Sequence, residues 1–305
     1  MFDLIIIGGS AAATSAGIYA ARRGLNFKII TKDFGGEVAT SGDVDNYPGI
    51  PGTNGIELAD KFKKHLANYG VLPEEGVEVE KIIRQADGTF IINAAKEGQD
   101  IEYAARVVIV ATGVHPRELN IPGEKEFRNK GVSYCTVCDG PVFVGKTVAI
   151  IGGGNSALEA GLMMADIAGK VYMLNKNPEF KGDTILLDNL KTKKNVEFIY
   201  SAKTTQIIGD KFVTSLKYDQ GGERELKVDG VFVHIGMLPN SGVVPDDVQK
   251  NNYGEIVVDK NCQTNIPGLY AAGDVTDVPF KQIILATAQG TCALLSAVQY
   301  LNKTK

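Results

Sequence analysis

The chain has 305 residues, a formal net charge of −4 and 44% hydrophobic residues, which suits about two domains with ample core and gives no basic surface for nucleic acid or an anionic membrane. Four cysteines in this length do not make a disulfide scaffold, and no run approaches the ~18 apolar residues that span a bilayer. The segment before Gly8 is too short for a signal peptide, lacks a basic start and runs straight into a glycine turn, so the expectation is a cytoplasmic protein in a reducing compartment.

Asp3-Leu-Ile-Ile-Ile-Gly8 is a short apolar run rich in β-branched residues, the pattern of a buried parallel strand. Small residues from Ser10 to Ala21 then suit a helix packed closely on a sheet, and Phe27-Lys-Ile-Ile30 reads as the next strand, completing one βαβ unit. Alternating segments near 77–104 and 196–234 read as small antiparallel additions. Lys146-Thr-Val-Ala-Ile-Ile151, Gly152-Gly-Gly154, a helix from Ser156 to about Ala168 and the strand Lys170-Val-Tyr-Met-Leu174 form a second copy of the unit. Two copies point to two dinucleotide-binding domains rather than a solenoid. Arg106-Val-Val-Ile-Val-Ala-Thr-Gly113 and Gly230-Val-Phe-Val-His-Ile-Gly236 are strands ending in glycine and followed by proline-bearing stretches, read as two crossings between domains. Leu269-Tyr-Ala-Ala-Gly-Asp274 and a helix from about Gln282 lie beyond the second crossing and are expected to return to the first domain. The expected fold class is therefore α/β, with two Rossmann-like dinucleotide-binding domains, the second inserted into the first. Residues 1–113 and 241–305 make one domain and 114–240 the other.

Cys135-Thr-Val-Cys138-Asp139-Gly140 carries the chemistry. A Cys-x-x-Cys pair closes to a disulfide or opens to a dithiol with little backbone movement, and a carboxylate directly after it can move a proton. The same spacing is also half of a zinc site. Cys262 and Cys292 read as solitary, and His65, His115 and His234 show no ligand spacing, so no metal is expected and the redox reading leads. Asp139 has a plainer alternative as a turn residue before Gly140.

The turn Gly152-x-Gly154-x-x-Ala157 has both the preceding strand and the following helix. Its first glycine permits the tight turn, the second admits a pyrophosphate, and the helix start at Asn155 and Ser156 supplies N–H groups to the phosphates. The first turn, Gly8-Gly-Ser10-Ala11-Ala-Ala13, is degenerate: Ser10 stands where a pyrophosphate should come close, with a hydroxyl and an N–H that could still donate. Asp274, after a glycine turn, is placed to accept from a cofactor hydroxyl or to cap a helix.

These motifs resemble the low-molecular-weight thioredoxin reductase family over almost the whole chain. The matching runs are Ile18-Tyr-Ala-Ala-Arg22, Gly35-Gly36, Val44-Asp-Asn-Tyr-Pro-Gly49, Ala111-Thr-Gly113, Cys135-x-x-Cys138-Asp-Gly140, Gly152-Gly-Gly-Asn-Ser156, Ile266-Pro-Gly-Leu-Tyr-Ala-Ala-Gly-Asp274 and Lys281-Gln282. The last third is most similar to the flavoprotein component of alkyl hydroperoxide reductases, without an N-terminal dithiol domain: Gly254-Glu-Ile-Val-Val-Asp259 and Pro279-Phe-Lys-Gln-Ile-Ile284 carry that likeness. The resemblance implies FAD in the discontinuous domain, NAD(P)H in the inserted one, and a homodimer. It implies FAD contacts at Gly8, Gly36, Asn46, Asp274 and Gln282, with Gly113 and Lys281 in the matching runs; Ser10, Ala11 and Glu37 are further candidates beside them, although Ser10 and Ala13 replace family glycines. Glu37 stands where the family usually has Gln, which places a carboxylate near the flavin and is expected to lower its potential. It further implies electron flow from nicotinamide through flavin to the cysteines, with Cys138 facing the flavin and Cys135 attacking a partner disulfide. The implied partner is a small thioredoxin- or glutaredoxin-like protein; the alternative is electron donation to a peroxiredoxin system through a separate dithiol carrier.

Nucleotide choice is expected ~20 residues past the glycines, at Asn175-Lys-Asn-Pro-Glu-Phe-Lys181. No arginine is present there to fork a 2′-phosphate. Asn175 can bond a ribose hydroxyl, and Lys176 and Lys181 can attract phosphate or be ordinary solvated lysines. NADH and NADPH both stay open, with a lean to NADH.

Overall fold

The computed structural model describes residues 1–41 and 43–304, without the side chain of Asp43. Strand β1 (Phe2–Ile7) buries Leu4, Ile5 and Ile6 completely, as a central parallel strand covered on both faces must. Its chain turns at Gly8 into α1 (Ala11–Arg22), whose alanines pack on the sheet, and returns as β2 (Phe27–Ile30), parallel to β1. A short helix α2 (Gly36–Ala39) and the small ladder β3 (Asp43–Val44) with β4 (Thr53–Asn54) lead to α3 (Gly55–Ala67). Asn54 caps α3 by accepting the Glu57 N–H at 3.0 Å, satisfying one of the helix's orphan donors.

The meander β5 (Val77–Arg84), β6 (Phe90–Lys96) and β7 (Gln99–Val110) follows. In β6 the buried residues alternate, Phe90, Ile92 and Ala94, because one face is covered. β7 changes character along its length. Its first half pairs antiparallel with β6, while its second half runs parallel to β1 and is buried continuously from Val107 to Val110. After β8 (Val114–Pro116) come β9 (Val132–Ser133), the single turn α4 (Thr136–Asp139), β10 (Thr147–Ile151), α5 (Asn155–Ile167), β11 (Lys170–Leu174), α6 (Thr184–Lys191) and β12 (Val196–Ile199). The segment expected to be wholly antiparallel near 196–234 divides. β13 (Lys203–Gly209), β14 (Val213–Asp219) and β15 (Glu223–Lys227) form an antiparallel sheet, but β12 and β16 (Gly230–Val233) belong to a parallel one. These two strands are too short for their period to distinguish one sheet from the other. The chain ends through β17 (Met237–Pro239), β18 (Leu269–Ala271) and α7 (Ile283–Lys303).

Two compact units result: Met1–His115 with Leu238–Lys305, and Pro116–Met237. In the first, the strand order is β2-β1-β7-β6-β5, with β18 also on β7. One face carries a core with α1, α3 and α7, the other a core with Ile82, Phe90, Val244 and Ile256. In the second, β12-β11-β10-β16-β9 is a parallel sheet. Helices α5 and α6 cover one face; the antiparallel sheet covers the other.

Helix α7 departs from the expectation that nothing here could cross a bilayer. Among the described residues it is the one helix long and apolar enough by length and composition. It packs on α1 instead: Ser15 donates to the Thr287 carbonyl at 2.6 Å, and a Cβ on Gly290 would lie 2.0 Å from the Ala12 carbonyl oxygen. Its buried face, Ala286, Gly290, Ala293, Leu294, Ala297 and Leu301, joins the core of the first unit.

Candidate functional site

The registers align the carboxyl ends of the parallel strands, Ile7, Ile30, Val110 and Ala271 in the first unit and Ile151, Leu174 and Val233 in the second. Crevices beyond such ends are where open α/β sheets bind ligands. The first glycine of each turn is fixed by a neighbouring strand. Gly8 has φ 128°, and a Cβ there would lie 2.2 Å from the Ala111 carbonyl oxygen; Gly152 has φ 154°, and a Cβ there would lie 2.2 Å from the His234 carbonyl oxygen. Helices α1 and α5 begin without a side-chain cap and without an acidic residue in the first turn. Their amide ends are the donor set and the positive dipole end that a pyrophosphate requires.

In the second unit, the space over Gly154 is open, with nothing within 4 Å of where a Cβ would stand. Asn155 anchors the loop opposite, accepting the Asp183 N–H at 2.7 Å and donating to its carboxylate at 3.0 Å, while Ser156 is exposed. Asn175 is only 3% exposed. Its Nδ2 donates to the Glu179 carbonyl at 2.6 Å, its Oδ1 accepts the Asn177 N–H at 3.1 Å, and its side chain packs on Gly153. Asn175 therefore ties the 175–179 loop down rather than standing free. Lys176 and Lys181 are exposed, and the Lys181 N–H bonds the Gly153 carbonyl at 2.7 Å.

Cys135 and Cys138 are joined by a disulfide. Cys135 is the N-cap of α4, and its sulfur accepts the Cys138 N–H at 3.2 Å. Asp139 is held by Ser133, whose hydroxyl donates to Oδ2 at 2.5 Å and accepts the Cys135 N–H at 3.1 Å. Thr136 is buried, and its hydroxyl meets His234 Nε2 at 2.6 Å. Burial lowers the His234 ionisation to about 4, so the imidazole is neutral near pH 7. His234 thus touches both features: its carbonyl packs on Gly152 and its ring bonds Thr136 between the cysteines. Upstream, Glu124 is 1% exposed and accepts from the Leu119 and Asn120 amides and the Tyr134 phenol, pinning the approach to Cys135.

The first unit collects the remaining candidates: Gly8, Ser10, Ala11, Gly36, Glu37, Asn46, Gly113, Asp274, Lys281 and Gln282. Ser10 does not project its hydroxyl over the turn; it donates to the Gly35 carbonyl at 2.6 Å, which clears the turn for a phosphate. Asn46 and Gln282, 236 residues apart, meet at 3.3 Å. Gly113 accepts the Asn240 N–H at 3.0 Å, and Asn240 also clasps Thr112 and His115. Lys281 pairs with Glu255 at 2.8 Å. Asp274 is half-buried and has no hydrogen-bond partner among the described residues. Burial raises its carboxyl to about 6, with Lys281 opposing and Glu37 adding to the rise. A carboxylate left without donors in a half-buried crevice fits a cofactor hydroxyl. Together with the uncapped α1 and the Asn46–Gln282 pair, it makes a donor and acceptor set that fits FAD.

Ser133, Thr136, His234, Glu124 and Asn240 escaped the sequence reading. Ser133 is placed by strand register, opposite Phe232, and the others by loop and turn contacts that no local motif reports.

Two strand–glycine-turn–helix ends, with a Cys-x-x-Cys disulfide in the same unit as the second, are the parts a nucleotide-fed disulfide oxidoreductase requires. The chain belongs to the pyridine nucleotide-disulphide oxidoreductase family, whose profile matches residues 2–290. Membership implies FAD and a pyridine nucleotide. The chain is 42% identical to the F subunit of alkyl hydroperoxide reductase from Escherichia coli (strain K12), covering 100% of this chain and 59% of that protein. It is 40% identical to the corresponding protein of Staphylococcus aureus (strain MRSA252), over 98% of this chain and 59% of that protein. It thus spans 59% of the length of these curated relatives. Among solved structures, the thioredoxin reductase of Streptococcus pyogenes MGAS5005 superposes with a TM-score of 0.92 at 33% identity, covering 99% of each chain.

Proposed function

We propose that this chain reduces the disulfide of a small thioredoxin- or glutaredoxin-like protein, taking electrons from NAD(P)H. The observation that carries the reading is the Cys135–Cys138 disulfide, built into the same unit as the Gly152–Gly154 turn and tied to it through His234. The first unit is assigned to FAD, held by the amide end of α1, Gly36, Asn46, Asp274 and Gln282; the second is assigned to the nicotinamide nucleotide. When bound, FAD supplies the two-electron carrier between nucleotide and disulfide.

The protein's own groups then act on sulfur. Once the pair is reduced, the Cys138 N–H and the start of α4 favour thiolate at Cys135. That thiolate attacks a partner sulfur, the partner's disulfide bond breaks, and the Cys138 thiolate resolves the mixed disulfide by displacing the partner thiol. Asp139, oriented by Ser133, carries the proton between Cys138 and solvent. Exposed Val137, Val142 and Val144 lie in and just after the redox motif and offer an apolar rim to a protein substrate. The likeness to the F subunits of alkyl hydroperoxide reductases favours a second reading: the same chemistry delivered through a separate dithiol carrier to a peroxidase. NADH is proposed as at least as good a donor as NADPH, the chain as a cytoplasmic homodimer, and neither nucleic acid nor membrane as a partner.

The test is turnover of the FAD-loaded protein with NADH and NADPH against a panel of thioredoxins, glutaredoxins and peroxidase-linked dithiol proteins. Cys135→Ser and Cys138→Ser are each expected to abolish protein-disulfide reduction. Near-wild-type turnover in either variant, or protein that takes up no FAD on titration, defeats the proposal. Light scattering at the mass of a single chain defeats the homodimer.

A further inference from the structure

Cys262 and Cys292 look solitary in the sequence, yet the fold brings them together in the first unit. The Cys262 thiol donates to the Gln289 carbonyl on α7 at 3.6 Å, and the Cys292 thiol, one turn further along α7, donates to the Lys260 carbonyl at 3.5 Å. Each sulfur thus reaches across to the backbone beside the other, which brings the two thiols together between the turn and α7. Cys262 sits at φ 61°, a left-handed conformation uncommon for a residue with a side chain. The turn that imposes it is pinned by Asp259, whose Oδ1 accepts the Asn261 and Gln263 amides at 2.8 and 2.9 Å. The conformation points Cys262 at α7, and strain held this firmly invites a functional reading.

We propose that Cys262 and Cys292 are a second redox-active dithiol, separate from Cys135–Cys138, which a hydroperoxide closes into an intramolecular disulfide. Cys292 is half-buried and Cys262 is 3% exposed, so Cys292 meets the oxidant first. Its thiolate attacks the terminal peroxide oxygen, the O–O bond breaks, an alcohol (or water, from hydrogen peroxide) departs, and Cys292 becomes a sulfenic acid. Cys262 attacks that sulfur; water leaves and the S–S bond forms. The two thiols give up two electrons and the peroxide accepts them. Burial and the neighbouring Cys292 push Cys262 up to about 12, which keeps it a thiol and leaves Cys292 as the peroxide-attacking group. The bond staples the 259–263 turn to α7. Gln289, which accepts from Cys262 through its carbonyl, accepts the Gly273 N–H at 2.8 Å and the Thr276 hydroxyl at 3.3 Å through its side chain. The state of the pair is therefore felt one residue from Asp274.

The experiment titrates the FAD-loaded protein, with Cys135–Cys138 closed, with hydrogen peroxide. Thiols are counted in denaturant, and peptides are mapped without reductant. The two free thiols of the starting protein are expected to disappear together with one equivalent of peroxide, yielding a Cys262–Cys292 cross-linked peptide that dithiothreitol releases. In Cys262→Ser, a sulfenic acid trapped by dimedone is expected at Cys292; in Cys292→Ser, the Cys262 thiol is expected to persist. A disulfide between chains, exchange into Cys135 or Cys138, over-oxidation of Cys292 beside a free Cys262, or survival of both thiols overturns the proposal. The wild-type peptide map alone decides it if a variant fails to fold.

Discussion

At the scale of single residues, the Ser133 hydroxyl donates to Asp139 and accepts from the Cys135 amide, so one atom orients both the carboxylate and the first cysteine's backbone. Ser133→Ala should slow protein-disulfide reduction by about 10-fold, a fraction of what a whole acid–base group contributes, while costing about 1 kcal/mol or less in stability. Stopped-flow rates beside thermal melts separate the two; an unchanged rate removes Ser133 from the mechanism. The Cys135–Cys138 pair was legible because its two members are contiguous in sequence, and Asp139 was nameable as a candidate beside it; Ser133 was not, because strand pairing places it. Asp274 could be named from the sequence as a candidate acceptor, but its electrostatics could not be read there. Its carboxyl rises from 3.8 to about 6 because it is buried near Glu37. The folded state then holds the proton more tightly than the unfolded chain. The stability that protonation contributes is complete below about pH 4 and is lost as the pH rises through about 6. In flavin-free protein, Asp274→Asn should therefore raise stability at pH 7 by on the order of 1–3 kcal/mol and flatten the melting profile between pH 4 and 7, while weakening FAD uptake. Identical pH–Tm curves for both proteins would refute this account.

At the scale of elements, the repeated strand, glycine turn and helix were readable because each buried strand is a continuous apolar run and each helix start is free of acidic residues. What escaped was which short strands join which sheet, since β12 and β16 have four residues each, too few to show a period. The second turn also separates folding from binding among its glycines. Gly152 has a left-handed φ and a strand carbonyl 2.2 Å from any Cβ, whereas Gly154 has φ −100° and open space beside it. Gly152→Ala should destabilise the protein by about 2–4 kcal/mol, from strain plus overpacking. Gly154→Ala should leave stability within ~0.5 kcal/mol but raise the nucleotide KM by about 10-fold, because its methyl enters the space the phosphates approach. Melting curves and steady-state kinetics on the same preparations test the contrast. A Gly154→Ala variant with normal nucleotide kinetics would mean that the phosphates do not pass over this turn.

At the scale of the molecule, the inserted unit was readable from two glycine-ended strands followed by prolines, because the chain has to leave and re-enter one sheet. Nucleotide choice was far less readable, and the structure changes how it should be probed. From sequence, Asn175 looks free to contact a ribose, so Asn175→Glu would seem to sharpen a preference for NADH. With the amide buried and donating to the Glu179 carbonyl, a carboxylate there removes a donor and leaves a buried charge. The variant should lose efficiency with both nucleotides. Discrimination then falls to the exposed Lys176 and Lys181, set against a chain of net charge −4. A screened lysine contributes ~1 kcal/mol or less to a phosphate contact, by analogy with surface ion pairs, and no planar arginine fork adds to it. Wild-type kcat/KM for NADH should therefore equal or exceed that for NADPH. Lys176→Ala with Lys181→Ala should lower NADPH efficiency by no more than about 30-fold at low salt, two such contacts' worth at ~1 kcal/mol each, and leave NADH unchanged. The NADPH effect should shrink as ionic strength shortens the Debye length to ~8 Å and below. A wild-type NADPH preference of ~100-fold, about 2.7 kcal/mol, that survives high salt would show a true phosphate site at these lysines and reverse the assignment.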